Sequence, residues 1–305
     1  VPEKERYEKY EYSYTSDNSP VSRLHFKKIF KRNIKYFHIK PNSFVVEAGS
    51  NDGTFLKEIK NFSKSKVLGV DPSKNISNIA SKKKLDTFLG YFNFNNSKLI
   101  RNKYGKADII YGANVFNHVD NNLDFLEGAN HLLSDNGVLV LEVPDLNSLI
   151  SKVGFDTIYH EHRHYYSEKS LNKKMKQKKF YIFKIEKISY MAGSIRVFAK
   201  KNKIKFQKNF TSVSLSDFKA FKKKIKYVSQ EIVSFVKDKN LNKIKVFGLG
   251  AATKGNTLLN YCKFTEKNIS YILDKSKLKI NKHTPGSGIK IVDETLVFDN
   301  DNELS

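Results

Sequence analysis

The sequence predicts an α/β protein built on a doubly wound, mostly parallel sheet, followed by a second and smaller α/β domain. Three observations carry that expectation. Short apolar runs of strand length alternate with helical segments from about residue 41 onward. Two apolar runs near residues 181–199 follow each other with no helix between them, which suits an antiparallel pair at one sheet edge. A strand leading into a glycine turn occurs twice, once from Ser43 and again from Lys243.

Taken in order, residues 1–22 are polar and tyrosine-rich and show neither helical nor strand period. Phe26, Phe30, Ile34 and Phe37 recur at helical spacing, so residues 23–37 read as an amphipathic helix. Ser43–Ala48 reads as a buried strand, Thr54–Phe62 as a helix, Lys66–Val70 as a second strand and Ile76–Lys83 as a helix. Ala107–Tyr111 is a strand, Leu123–Leu133 a helix and Gly137–Glu142 a strand. Helix Ser170–Gln177 precedes the edge pair, Tyr181–Ser189 and Ser194–Ala199. The lysine-rich stretch Asp217–Val236 reads as a linker helix, and strands follow near Lys243, at Ile269–Leu273 and at Ile289–Val292. The expected organisation is an N-terminal segment (1–40), a catalytic domain (41–204), a linker (205–242) and a C-terminal domain (243–305) that lacks its last elements.

Composition narrows the function classes. Of 305 residues, 39% are apolar, enough for two cores. The single cysteine, Cys262, excludes a disulfide framework and a cysteine zinc site, and makes a reducing cytoplasm the expected home. No apolar run reaches the roughly 18 residues of a membrane span, so no membrane partner is expected. A net charge of +24 invites a nucleic-acid reading. Only six residues are arginine, however, and the lysines are spread over the whole length. Arginine is the side chain that reads and stacks on bases, so nucleic acid is not the expected partner. Oligomeric state has no signal in the sequence.

The first strand runs into Glu47-Ala48-Gly49-Ser50-Asn51-Asp52-Gly53. Glycines at the carboxyl end of a strand let the backbone approach a ligand closely. Glu47 and Asp52 would repel a pyrophosphate and welcome a ligand carrying an ammonium and a sulfonium. Asp71 ends the second strand, where a carboxylate accepts hydrogen bonds from ribose hydroxyls. A plain tight turn is the competing reading of the glycines alone. With the third-strand segment Asp108–Asn114 in the expected order, the set resembles the class I (Rossmann-like) methyltransferases. That resemblance implies S-adenosylmethionine as cofactor, held by Glu47, Gly49, Asn51, Gly53, Asp71 and Asn114.

Beyond the fourth expected strand lies Phe155-Asp156-Thr157-Ile158-Tyr159-His160-Glu161-His162-Arg163-His164-Tyr165-Tyr166-Ser167. Imidazole, carboxylate and phenol at this density point to acid–base chemistry. A metal site is an alternative, but the spacing matches no familiar ligand pattern. Satisfied polar loop residues are the other. FDTIYHEHRHYYS, with ANVFNHVDNNLDFLEG, VVEAGSNDGTFL, FGLGAATKGNTLLNYC and TPGSGIKI, resembles the sugar C-methyltransferases, which act on nucleotide-linked 4-keto-deoxyhexoses. The resemblance implies His162 as general base, with Tyr159, Glu161, His118 and Tyr12 as further catalytic residues and Tyr14 competing with Tyr12. It also implies a small-molecule nucleotide-sugar substrate. A neutral imidazole can take a proton from carbon next to a ketone if the enolate oxygen is stabilised, and no metal is required.

This sequence departs from that family in three ways. The cysteine-rich zinc module with which members begin is missing, so zinc is not expected for this chain. The family extends past Ser305. Its His-Gly-Gly-Ser-x-Arg stretch reads Met191-Ala192-Gly193-Ser194-Ile195-Arg196 here. Arg196 is either a phosphate partner or a surface strand arginine. The second turn, Gly248–Gly255, with Lys254, either cradles a diphosphate or is structural, and Asp274 is equally open. An O- or N-methyltransferase of another metabolite, or a basic RNA-binding module, are the other functions the chain could serve.

Overall fold

Seven strands form the main sheet in the order β3-β2-β1-β4-β5-β7-β6. The computed structural model describes residues 2–298 except 10, 11, 13, 38, 205 and 207. The chain divides into two units, residues 1–149 with 161–213, and residues 150–160 with 214–305.

In the first unit the elements run α1 (Glu3–Tyr7), α2 (Pro20–Phe37), β1 (Phe44–Ala48), α3 (Thr54–Phe62), β2 (Lys66–Asp71), α4 (Lys74–Lys82), β3 (Thr87–Leu89) and α5 (Phe94–Tyr104). There follow β4 (Ala107–Ala113), α6 (Asn122–Leu132), β5 (Leu133–Pro144), α7 (Leu146–Ser151, its last two residues counted with the second unit), α8 (Glu168–Lys176), β6 (Tyr181–Ile188) and β7 (Ser194–Lys200). Strands β1 to β5 pair in parallel, while β7 is antiparallel to both β5 and β6. The sheet thus has the expected doubly wound core and antiparallel edge.

The register explains why the central strands are unbroken apolar runs. Val45 and Val46 point to opposite faces and both are fully buried. Val45, Ile109, Tyr111, Val140 and Phe198 face Phe26, Ile29 and Phe37 of α2 and Phe55, Leu56 and Ile59 of α3. Val46, Leu68, Ile110, Leu139 and Val197 face the other layer, which includes Phe125, Leu126, Leu171 and Met175. Each large apolar side chain so buried contributes roughly 1.5–3 kcal/mol. That holds α2 in place despite its lysines; the expected stripe residues Phe30 and Ile34 lie outside the described side chains.

Four of these elements were not anticipated, each for a local reason. α1 is one polar turn. β3 is three residues long. α5 begins at an Asn93 cap, whose side chain accepts from the Asn96 amide at 2.8 Å, and its sequence has weak apolar period. α7 follows β5 directly, its first turn organised by the Asp145 carboxylate, which accepts from Asn147 and Ser148 amides.

The second unit holds α9 (Leu215–Leu241), β8 (Phe247–Leu249), α10 (Thr253–Tyr261), β9 (Tyr271–Asp274) and β10 (Ile291–Asp293), with its three parallel strands in the order β10-β9-β8. Its core gathers Val236 of α9 with Leu259, Phe264, Ile269, Ile272, Ile289 and Ile291. The helix expected as a linker is therefore an integral part of this unit. It starts at a capping box of Ser214 and Asp217. Its end sets β8 back from the expected start: Lys243 adopts φ +56°, and the Ile244 amide returns to the Lys239 carbonyl.

Candidate active site

β1 ends in the turn that the sequence singled out. Gly49 takes φ +65°, and a Cβ there would stand 2.7 Å from the Val115 side chain, so glycine is required twice over. The Gly49 amide donates to the Val70 carbonyl at 2.8 Å, tying the turn to β2. Asp71, at the end of β2, accepts from the Asn51 amide on one oxygen and from Ser73 on the other, both at 2.9 Å. Burial raises its carboxyl and these amides oppose the rise. Each oxygen keeps a lone pair for a further donor.

The surroundings fit S-adenosylmethionine. Glu47 Oε2, Ser50 Oγ and Asn114 Oδ1 are buried at the carboxyl ends of β1 and β4 without a protein partner. Buried polar atoms need partners, and a polar ligand supplies them. Burial pushes the Glu47 carboxyl well above its ordinary range, with Asp52, Asp71 and Glu142 adding repulsion. A cation is what such a group of carboxylates gains from, and a phosphate is what it rejects.

A strap from the N-terminal segment crosses this turn. Asn51 Nδ2 donates to the Tyr14 carbonyl at 3.0 Å, and the Ser16 amide donates to Asn51 Oδ1 at 2.9 Å. The Asp17 amide donates to Asp52 Oδ2 at 3.0 Å, and Asn75 Nδ2 donates to the Tyr12 carbonyl at 2.9 Å. Lys83 pairs with both Asp17 and Asp52. The Asn51 side chain, expected to serve the cofactor, is thus occupied in holding the strap.

Next to the turn, the segments after β4 and before α8 bring two histidines together. The rings of His118 and His162 meet edge-to-face with centroids 4.9 Å apart. The Asn117 carbonyl fastens the segments by accepting from the amides of Arg163 (2.9 Å) and His164 (3.1 Å). Burial, then the neighbouring His162 and Arg6, lower His118 to about 3. His118 is therefore neutral at cellular pH. Tyr7 of α1 places its hydroxyl 3.4 Å from His118 Nδ1, and its ring lies 5.2 Å from the ring of Tyr12. Tyr12, Tyr7, His118 and His162 thus form one continuous set.

The other predicted residues fall in several places. Glu161 lies within electrostatic reach of Tyr7. Tyr14 is exposed and its hydroxyl contacts Ser22 Oγ at 3.2 Å. His164 spends its ring on the Val119 carbonyl at 3.1 Å. Tyr159 and Lys254 belong to the second unit, Lys254 in the first turn of α10. There Asp274 accepts from the amides of Ala251 and Ser276 at 2.8 Å each, the same bonding that Asp71 makes.

Arg196 is a correction. It is only 4% exposed, and its guanidinium is committed to Glu142 (Nε to Oε1, 2.5 Å) and Glu186 (Nη1 to Oε2, 2.9 Å). Glu142 also takes the Tyr111 hydroxyl at 2.9 Å and His25 Nε2 at 2.8 Å. The strand pairing of Glu142 with Arg196 puts both on one face, so the arginine neutralises a buried carboxylate and is not presented to phosphate. Sequence reasoning also missed Arg6, Tyr7 and His25. The first two stand in a segment without periodicity, and His25 faces inward from an otherwise lysine-rich helix. Among the described residues no three His, Cys, Asp or Glu side chains converge as for a metal ion.

Residues 23–184 match a methyltransferase domain family over more than half of the chain. The chain belongs to that methyltransferase family. Residues 191–304 match the C-methyltransferase C-terminal domain. The C-methyltransferase NovU of Streptomyces niveus is 27% identical over 292 residues, which cover 92% of this chain and 69% of that protein. Among solved structures, the magnesium protoporphyrin IX methyltransferase of Synechocystis PCC 6803 with bound SAH is 14% identical. It aligns over 60% of this chain and 88% of its own, with a TM-score of 0.48. The PH0226 protein of Pyrococcus horikoshii OT3 is 15% identical over 61% and 94%, also at 0.48. The chain is thus an S-adenosylmethionine-dependent methyltransferase, similar to C-methyltransferases in its C-terminal part and in its likeness to NovU. No helix among its described residues is long and apolar enough to cross a membrane.

Proposed function

We propose that this methyltransferase alkylates a carbon next to the ketone of a nucleotide-linked sugar in the cytoplasm, with His162 removing the proton from that carbon. The observation that carries this reading is the contact between His162 and a second histidine that cannot itself act as a base. An imidazole lowered to about 3 has too little basicity to take a proton from carbon at neutral pH. It does retain one N–H, and a fixed neutral donor suits a ketone oxygen on which charge develops. Division of labour follows: His118 donates to the oxygen and His162 accepts the proton. Tyr12, Tyr159 and Glu161 are assigned to holding the sugar or orienting the base.

When bound, S-adenosylmethionine supplies an electrophilic methyl group. Glu47 and Asp71 are assigned to its ammonium and ribose hydroxyls, Asn114 Oδ1 to a further donor, and Gly49 and Gly53 to backbone approach. The strap across Asn51 and Asp52 is assigned to covering the same turn when the cofactor is bound, where exclusion of water strengthens every electrostatic contact within. In the second unit, Lys254 offers a cation at a helix start, where phosphate is favoured. Arg196 is left out of substrate binding.

The direct test is incubation with S-adenosylmethionine and a panel of dTDP-, GDP- and CDP-linked keto sugars, followed by mass spectrometry and carbon NMR. A gain of one methylene unit located on carbon is expected. A methyl group found on oxygen or nitrogen would overturn the reading.

A further inference from the structure

Arg6 and Tyr7 precede Tyr12 and Tyr14, between which the active-site tyrosine was expected, yet both connect directly to the segments that carry the histidine pair. Tyr7 Oη is 3.4 Å from His118 Nδ1. That is long for a hydrogen bond, as contacts in unliganded sites are before substrate tightens them. Arg6, whose side chain is 3% exposed, donates from Nη2 to the His118 carbonyl at 3.2 Å and from Nη1 to the Glu161 carbonyl at 3.4 Å. It also pairs with Asp120 Oδ1, the oxygen that Arg163 Nε approaches as well. One dipeptide therefore touches the ring of one histidine and the backbone that carries both. α1 is itself anchored, because the Asp120 amide donates to Glu3 Oε1 at 2.7 Å.

We propose that Arg6 and Tyr7 are the positioning residues of the histidine pair. Tyr7 donates its hydroxyl hydrogen to His118 Nδ1 and so keeps the ring's only hydrogen on Nε2. Arg6 fixes the spacing of the two segments through their carbonyls. The catalytic meaning of this assignment rests on the two-histidine reading above; the tautomer itself does not.

The chemistry selects one direction for the Tyr7 contact. A neutral imidazole carries one N–H and one bare nitrogen. A phenol is a stronger acid than a neutral imidazole, and the bare nitrogen is a stronger base than a phenol oxygen. The O–H···N bond is therefore preferred to N–H···O. Burial, with Glu161 and Asp71 nearby, outweighs Arg6 and raises Tyr7, so the phenol keeps its hydrogen. With Nδ1 engaged, the hydrogen sits on Nε2, where it is available to an oxyanion. Remove the phenol and the ring is left to distribute between two tautomers, only one of which donates from Nε2. Arg6 acts differently. Its guanidinium reaches two carbonyls and a carboxylate at once from a rigid fork, which the point charge of a lysine does not reproduce.

The test compares wild type with Tyr7→Phe and Arg6→Lys, each as the full chain saturated with S-adenosylhomocysteine and labelled with ¹⁵N-histidine. Long-range proton–nitrogen spectra at neutral pH report the His118 tautomer without reference to turnover. Wild type is expected to hold Nε2–H, and Tyr7→Phe to show averaged nitrogen shifts. The kcat of Tyr7→Phe should fall about 5- to 10-fold, the worth of one hydrogen bond, with cofactor affinity unchanged. Arg6→Lys should lower kcat while leaving the tautomer in place. An Nδ1–H ring in wild type, or an unchanged ring in Tyr7→Phe, overturns the assignment. Failure of wild type to methylate carbon in any keto sugar, with the tautomer change intact, removes the two-histidine reading and leaves the Tyr7 assignment standing.

Discussion

Two buried side chains set measurable consequences far larger than their size. His118 is neutral when folded down to about pH 3, whereas a free imidazole protonates near 6.5. Its folded value is depressed, and for a base this means that the unfolded chain binds the extra proton. Stability is therefore lost as pH falls below about 6.5, and His118 alone contributes at most about 2 kcal/mol to the loss between pH 7 and 5. Urea unfolding at the two pH values, for wild type and His118→Asn, should show a shallower decline in the variant; parallel curves would contradict the assignment. Arg196 gives the opposite kind of prediction. Replacing it with methionine leaves Glu142 buried with reduced compensation, and about 3–5 kcal/mol of stability should disappear in the same assay. A near-neutral Arg196→Met would mean that the arginine is not the partner on which Glu142 depends.

Among the elements, the long and periodic ones were legible and the short polar ones were not. β1, β2, β4 and β7 are runs of β-branched and aromatic residues buried on both faces, so their existence and order could be read directly. α1, β3 and α5 lack an apolar stripe; they are fixed by tertiary hydrogen bonds and by caps that periodicity does not register. The same distinction runs through the site. Gly49, Asp71, His118 and His162 stand beside legible strands or in recognisable runs. Arg6 and Tyr7 were invisible because α1 is one turn of charged residues whose partners lie more than a hundred positions away. Arg196 was visible but misjudged, since only the β5–β7 register shows Glu142 beside it. The strap yields its own prediction. Asn51 adopts φ +51°, which glycine tolerates, so Asn51→Gly removes both strap bonds without straining the turn. S-adenosylhomocysteine should then dissociate about 5- to 10-fold faster in stopped-flow measurements. An unchanged rate would mean that the strap does not enclose the cofactor.

For the molecule as a whole, the formal charge of +24 is a property of its solubility and self-repulsion more than of its chemistry. Added salt screens that repulsion, so the melting temperature should rise between about 10 mM and 150 mM sodium chloride. A fall would show that attractive pairs dominate instead. Charge of this kind is spread over both units, whereas the chemistry is concentrated where α1, the β4–α6 segment and the segment before α8 converge on the ends of the sheet. Everything proposed for that place depends on His162 taking hydrogen from carbon. The most direct measurement is solvent deuterium exchange at the carbon next to the ketone of a keto-sugar nucleotide, with S-adenosylhomocysteine bound so that no methyl transfer follows. Wild type should exchange that hydrogen, and His162→Asn, with cofactor affinity intact, should not. Exchange by the variant at the wild-type rate would show that a different group is the base.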